Sequence, residues 1–254
     1  MSRPPFPTPR ALELDAAGPG PLPHTALALH QLAPDTAVQL HDDEMRLLRG
    51  LPARRRADFA AGRLAARRAL AVLGVPGPVL RDGRRPLFPA GTTGSISHCT
   101  GHIGVSFVST HPGVAATGID LERTDRLTRA TARLVCTRHE RAWVSRARRP
   151  ESRLSVLFSA KEALYKALSG LSPRTPVFHD VELHVERGLL EIRIGRGLLP
   201  AGHHLTGWVR LLAGNHVLTT VAVLTGAPTG REDNRTGTLR FEGDQTVFCT
   251  HPSA

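Results

Sequence analysis

Two periodicities alternate along this chain, and the points where one replaces the other mark its elements. Residues 1 to about 40 are rich in proline and alanine with little periodicity, which predicts loops or a short hairpin. Asp42-Asp43-Glu44 then leads into a helical run, and Leu51-Pro52 opens a second. In that second run Phe59, Leu64, Ala65, Leu70 and Leu73 recur at near-helical spacing, until Gly74-Val75-Pro76-Gly77-Pro78 stops it. A turn-rich stretch over 82–91 precedes strand-like runs at 94–98, 103–109 and 114–121. Thr137, followed three residues later by Glu140, has the spacing of a capping box and predicts a helix to about residue 148. Pro150-Glu151 introduces another helix, to about Leu168. Strand patterns follow at 177–186, 189–194, 204–212 and 216–224, and beyond Gly226 the chain turns polar.

Helices, strands, helices and strands in that order predict an α+β fold made of two similar α/β subdomains in one chain. The expected boundary is the turn at His111-Pro112-Gly113, giving an N-terminal subdomain over 1–112 and a C-terminal one over 113–226. Residues 227–254 are expected to be a flexible tail. No sequence repeat marks a duplication. With two halves in one chain, a monomer suffices.

Length and composition fit a soluble globular protein: 254 residues, 41% hydrophobic, with 24 glycines. No run approaches the roughly 18 apolar residues that a membrane span needs. Met1 to Arg10 holds four prolines and no apolar stretch, unlike a secretory signal. Cys99, Cys136 and Cys249 fit neither a zinc spacing nor a disulfide framework, so a cytoplasmic location is expected. The formal charge of +11 attracts polyanions: nucleic acid, a phosphate-rich cofactor or an acidic protein. An aromatic share of only 4% offers few stacking platforms, which counts against nucleic acid.

Of the 33 basic residues only two are lysines, Lys161 and Lys166, and they lie five residues apart. Lysine is a compact point charge and arginine a planar fork, so a chain that otherwise uses arginine keeps an ammonium here for a reason. On a helix Phe158, Glu162 and Lys166 share a face, while Lys161 is turned about 100° aside. The plainer reading is a solvated Glu-Lys pair worth a few tenths of a kcal/mol, about 0.3. Upstream, Gly118-Ile119-Asp120-Leu121-Glu122 places two carboxylates on one side of a strand, a pair that suits Mg²⁺ or simply faces water. Glu162 beside the lysines would complete a site for a metal and a polyphosphate. His98 lies among small residues, Gly94 to Gly101, where backbone can approach a ligand. Cys99 reads as a small buried hydrophobe.

Five blocks in order carry a resemblance over about residues 45–225: Arg54-Arg55-Arg56-Ala57-Asp58-Phe59 through Gly62-Arg63, Arg84-Arg85-Pro86-Leu87-Phe88-Pro89, Gly94-Ser95-Ile96-Ser97-His98, Gly118 to Glu122, and Phe158 to Lys166. The chain resembles the 4′-phosphopantetheinyl transferases of the surfactin-synthetase type, in the group of enterobactin synthetase component D. That resemblance implies a pseudo-dimeric fold and a reaction moving 4′-phosphopantetheine from coenzyme A to a serine of an acidic acyl or peptidyl carrier protein, with release of adenosine 3′,5′-bisphosphate. It implies Asp120, Glu122 and Glu162 as Mg²⁺ ligands. By the same resemblance Lys166 is catalytic and contacts phosphate, and Lys161, Ser97 and His98 line the coenzyme pocket. Arg55, Arg56, Arg63, Arg84 and Arg85 fall at its basic positions around the 3′-phosphate and adenine. Glu162 is the first choice for the base that takes the serine proton, and Glu140 the second, against its reading as a helix cap. Phe158 and Phe88 stand where the family usually has tryptophan. An Mg²⁺-dependent phosphodiesterase or nuclease, or a non-catalytic nucleic-acid-binding protein, are the competing functions.

Overall fold

The computed structural model describes residues 16–33, 39–186, 189–212, 214–226 and 236–242. A short hairpin, β1 (Ala17–Pro19) and β2 (Thr25–Gln31), opens the chain. Helix α1 (Asp42–Arg49) follows, its His41 N-cap accepting from Asp43 N–H while the Glu44 carboxylate reaches back to His41 N–H. Helix α2 (Ala53–Val72) starts after Pro52, and the turn-rich stretch forms a small hairpin, β3 (Leu80–Asp82) and β4 (Arg85–Leu87). Then come β5 (Thr93–Cys99), β6 (Ile103–Ser109) and β7 (Val114–Arg123). Three helices, α3 (Arg129–Val135), α4 (Arg138–Ser145) and α5 (Pro150–Leu168), lead to a 3-10 turn at Phe178–Asp180. The strands β8 (Val181–Glu186), β9 (Leu189–Ile194), β10 (His203–Leu212), β11 (His216–Thr225) and β12 (Thr236–Glu242) complete the order.

Three departures from the sequence reading stand out. Helix α3 was not expected: it has seven residues and no side-chain cap, too little pattern to register. The strand expected from 177 starts only at Val181, after the 3-10 turn. The third concerns the tail. Thr236–Glu242, placed there, is an interior strand, parallel to β10 and antiparallel to β9, and it satisfies backbone groups that both neighbours would otherwise leave open. Residues 227–235 and 243–254 lie outside the described residues.

The fold is mixed α/β. One sheet has the order β1-β2-β6-β5 and the other β7-β11-β10-β12-β9-β8, four strands against six. Val105 and Phe107 of β6 share one core with Ile119 and Leu121 of β7 and Leu218 of β11. The opposite faces are covered by long helices, α2 on β2 and β6, and α5 on β7 and β11. Each helix comes down onto a glycine. A Cβ on Gly104 would meet the Ala61 carbonyl carbon at 2.2 Å, and one on Gly118 the Ala163 oxygen at 1.9 Å. Backbone cannot retreat as a flexible side chain can, so Gly118→Ala should cost about 3 kcal/mol. We expect its melting temperature to fall by roughly 10 °C in a calorimetric scan; a shift of only a degree or two would show that α5 can lift off β7. Among the described residues no helix is long and apolar enough to cross a membrane.

Candidate active site

Strands β5 and β7 are edge strands of their two sheets, and they lie side by side. An edge leaves backbone groups to be satisfied. At Ile119 side chains do this: Ser95 Oγ accepts from its N–H at 3.2 Å, and Lys166 Nζ donates to its carbonyl at 3.0 Å. Pleating sends Ile119 and Leu121 into the shared core and turns Asp120 toward α5.

Lys166, one helical turn beyond Glu162, reaches this junction. Its ammonium donates to Asp120 Oδ1 at 2.7 Å and Ser97 Oγ at 2.8 Å, and with Ile119 its three donors are all engaged. Ser97 Oγ donates in turn to Asp120 Oδ1 at 2.9 Å. Asp120 is 3% exposed, yet its Oδ2 is buried with no hydrogen-bond partner. Glu122 and Glu162 are half-buried nearby. Burial, and next the Asp120 charge, push the Glu122 carboxyl up to about 7. Burial likewise raises Glu162, with Lys166 opposing and Asp120 adding to the shift. Such crowding of carboxylates favours a cation among them.

Two cavities flank the junction. One, of about 580 Å³, runs between the halves and is lined by Arg84, Arg85, Phe88, Ser95, Tyr165 and Lys166. The other, of about 400 Å³, is lined by Asp58, His98, His102, Glu122 and Arg126 among others. Asp58 holds the turn beyond β5, with one oxygen 2.9 Å from His102 Nδ1 and the other 3.9 Å from His98 Nδ1. Burial depresses the His98 imidazole although Asp58 opposes it; Arg55 and Lys166 depress it further. Both Arg84 and Arg85 face the larger cavity. Phe158 stacks against Phe178 with ring centroids 5.8 Å apart, so an apolar anchor is kept there. Cys99, its thiol pushed up to about 12 chiefly by burial, is no nucleophile.

Three expected site residues lie elsewhere. Lys161 is 2% exposed, and its ammonium donates to Glu140 Oε2 at 2.7 Å, Val135 O at 2.9 Å and Phe178 O at 3.0 Å. Glu140 is fully buried, also accepting from Thr137 N–H at 2.7 Å and Leu183 N–H at 2.8 Å. The cap reading of Glu140 therefore stands over the base reading, and Lys161 has no donor left for a coenzyme. Arg63 is 6% exposed, spends one nitrogen on Leu80 O at 3.1 Å and lies over the Phe59 ring at 4.4 Å. Burial lowers it to about 10, and it lines neither cavity. Asp58, His102, Arg126 and Tyr165 were not singled out from sequence. Only the tertiary approach of α2, α5 and the strand ends brings them to the cavities.

The donor chemistry here suits a hard divalent cation, because oxygens alone are offered and one, Asp120 Oδ2, is buried without a partner. Among the described residues no three or more His, Cys, Asp or Glu side chains are gathered into a ready ligand set. Phosphate oxygens and water would have to complete one, as is usual for Mg²⁺.

Comparison with known proteins shows the family. Residues 43–106 match the family model of the 4′-phosphopantetheinyl transferase N-terminal domain, and residues 116–220 that of the 4′-phosphopantetheinyl transferase superfamily. The 4′-phosphopantetheinyl transferase Svp of Streptomyces mobaraensis is 34% identical over 221 residues, covering 82% of this chain and 89% of the relative. Enterobactin synthase component D of Salmonella typhi is 32% identical over 228 residues, covering 83% and 92%. PptT of Mycobacterium tuberculosis is 36% identical over 147 residues, covering 57% and 64%. Both halves match in order and the Streptomyces and Salmonella relatives are covered almost end to end, so the chain belongs to the 4′-phosphopantetheinyl transferase superfamily.

Proposed function

We propose that the family's reaction, transfer of 4′-phosphopantetheine from coenzyme A to a carrier protein, takes place at the junction of β5, β7 and α5. The observation that carries this is the Lys166–Asp120–Ser97 cluster at the edge of a basic cleft between two half-molecules. Arg84 and Arg85 receive the phosphorylated nucleoside end of coenzyme A, and Tyr165 and Phe88 supply apolar surface beside it. Ser97 and His98 face the pyrophosphate; Arg55 and Arg56, on the first turn of α2, would join them, although Arg56 Nε donates to Leu51 O at 3.1 Å. The two halves act as a pseudo-dimer of one α/β plan, divided near residue 112, each with a helix seated on a strand glycine. One chain then holds a whole cleft and works as a monomer.

Asp120, Glu122 and Glu162 would hold Mg²⁺. When bound, the ion neutralises pyrophosphate charge and so favours departure of the nucleotide. The chain's own groups do the rest. The serine Oγ of the carrier forms a bond to the pantetheine-side phosphorus as the bridging P–O bond breaks, and adenosine 3′,5′-bisphosphate leaves. Glu162 takes the hydroxyl proton. Lys166, a compact cation at the same spot, stabilises charge gathering on the leaving phosphate.

Incubating the protein with coenzyme A, Mg²⁺ and a panel of carrier proteins should add one phosphopantetheine to a carrier, read by intact-mass spectrometry. Prior removal of divalent ions with EDTA should abolish the gain and added Mg²⁺ restore it. Undiminished loading in EDTA would rule out the metal assignment, and cleavage of nucleic acid without any carrier loading would favour a phosphodiesterase.

A further inference from the structure

We infer that Gly170 is a positioning residue for Arg85. Its missing side chain lets the Arg85 guanidinium cross the cleft to where the 3′-phosphate of coenzyme A is received, so that the site selects coenzyme A over the same molecule without that phosphate. This rests on the transferase reading above. The observation is a seat between the two halves. A Cβ on Gly170 would meet the Arg85 guanidinium carbon at 2.6 Å and Nη1 at 2.9 Å, with Nη2 nearer still. These are the three nearest atoms to that position, and all belong to the charged head. The head of this arginine, and not its stem, lies on the bare face of the glycine.

Both partners are placed by their elements. Arg85 begins β4 and pairs with Asp82 of β3, so its backbone is held, whereas Gly83 and Arg84 form the tip of that hairpin. Gly170 follows Ser169, the C-cap of α5. The last turn of a 19-residue helix ends in carbonyls with partial negative charge, a favourable place for a guanidinium. Lys166 and Ser169 of that turn line the same cavity as Arg85. Gly170 lies four residues beyond Lys166, about 6 Å farther along the axis. One turn of α5 thus separates the ammonium at the pyrophosphate from the fork at the nucleoside end.

A guanidinium seated at both backbone and head loses little freedom on meeting a phosphate, which it can grip with two parallel N–H donors. Even the smallest side chain at residue 170 would spoil this. Gly170 is outside the left-handed region, so alanine can take its backbone. The added methyl would push the far end of a flexible, exposed side chain, which costs the fold little and moves the fork out of place. Stability and recognition are therefore separable at this position.

Gly170→Ala should melt within about a degree of the wild type and raise KM for coenzyme A at least about tenfold, the scale of a lost charge-assisted hydrogen bond. Dephospho-coenzyme A, which lacks the 3′-phosphate, separates recognition from architecture: wild type and variant should share one KM for it. Arg85→Ala should show the same loss with coenzyme A, and the double variant no more than either change alone. A wild type that loads no carrier from coenzyme A would overturn the transferase reading itself. If the wild type loads carrier and Gly170→Ala keeps its KM for coenzyme A, the inference fails and the transferase reading survives. It fails equally if the variant loses both coenzymes alike or melts far below the wild type, because the seat would then join the halves without reading the phosphate.

Discussion

Asp120→Ala is expected to lower carrier loading by about 10²–10³-fold while the protein still folds. Asp120 is where the pieces meet. One oxygen accepts from Lys166 and Ser97, and the other is buried with no partner. Truncation removes the anchor of the ammonium and the free oxygen together. The fold tolerates this because Lys166 keeps Ile119 O and Ser97 Oγ, its side chain is 26% exposed to water, and an unsatisfied buried oxygen goes as well. The companion change Lys166→Arg keeps the charge but replaces a tetrahedral donor set with a planar fork in a corner shared by three elements. It should lose most of its turnover too. Turnover numbers from single-turnover loading, set beside melting curves, decide the matter. Near-normal kcat in either variant would mean that this corner is not where transfer occurs.

How much of this was legible beforehand depends on where the information lay. Local signals read well. Glu140 three residues after Thr137 does close a capping box, and Pro150 does open α5. The strand pattern around Asp120 correctly sent Ile119 and Leu121 inward. The misses share a cause, which is that a partner distant in sequence decides them. Arg63 was expected at a basic position around the coenzyme, yet stacking on Phe59 four residues earlier and the Leu80 carbonyl draw it inside. β12 returns after a long excursion to fill a gap between β9 and β10, and nothing in its own short segment records that gap. Helical geometry showed that Lys161 and Lys166 point apart. It could not show that one points into a cleft and the other into a core.

The two lysines nevertheless turn out to be built alike. Each ammonium meets a carboxylate and two further oxygens, so each uses all three donors. What differs is exposure, with the Lys166 side chain 26% exposed and that of Lys161 only 1%. The same electrostatic unit can make a reactive corner where water and substrate enter, as proposed for Lys166, and a structural clamp where they cannot.

Lys161→Met should therefore act on stability first, costing about 3–5 kcal/mol. Glu140 would be left as a buried, uncompensated carboxylate, and the carbonyls of Val135 and Phe178 would lose their donor. For a chain of this size such a loss lowers the melting temperature by roughly 10 °C or more. Pairing it with Glu140→Gln should recover part of the loss. The amide is neutral and its oxygen can still accept from Leu183 N–H or Thr137 N–H, so the buried charge disappears while the cap is half kept. Recovery in the double variant distinguishes a buried-charge penalty from simple loss of packing, which would make the two changes additive or worse. A single Lys161→Met variant that melts within a degree or two of the wild type would show that the pair does not hold α3, α4 and the 3-10 turn together.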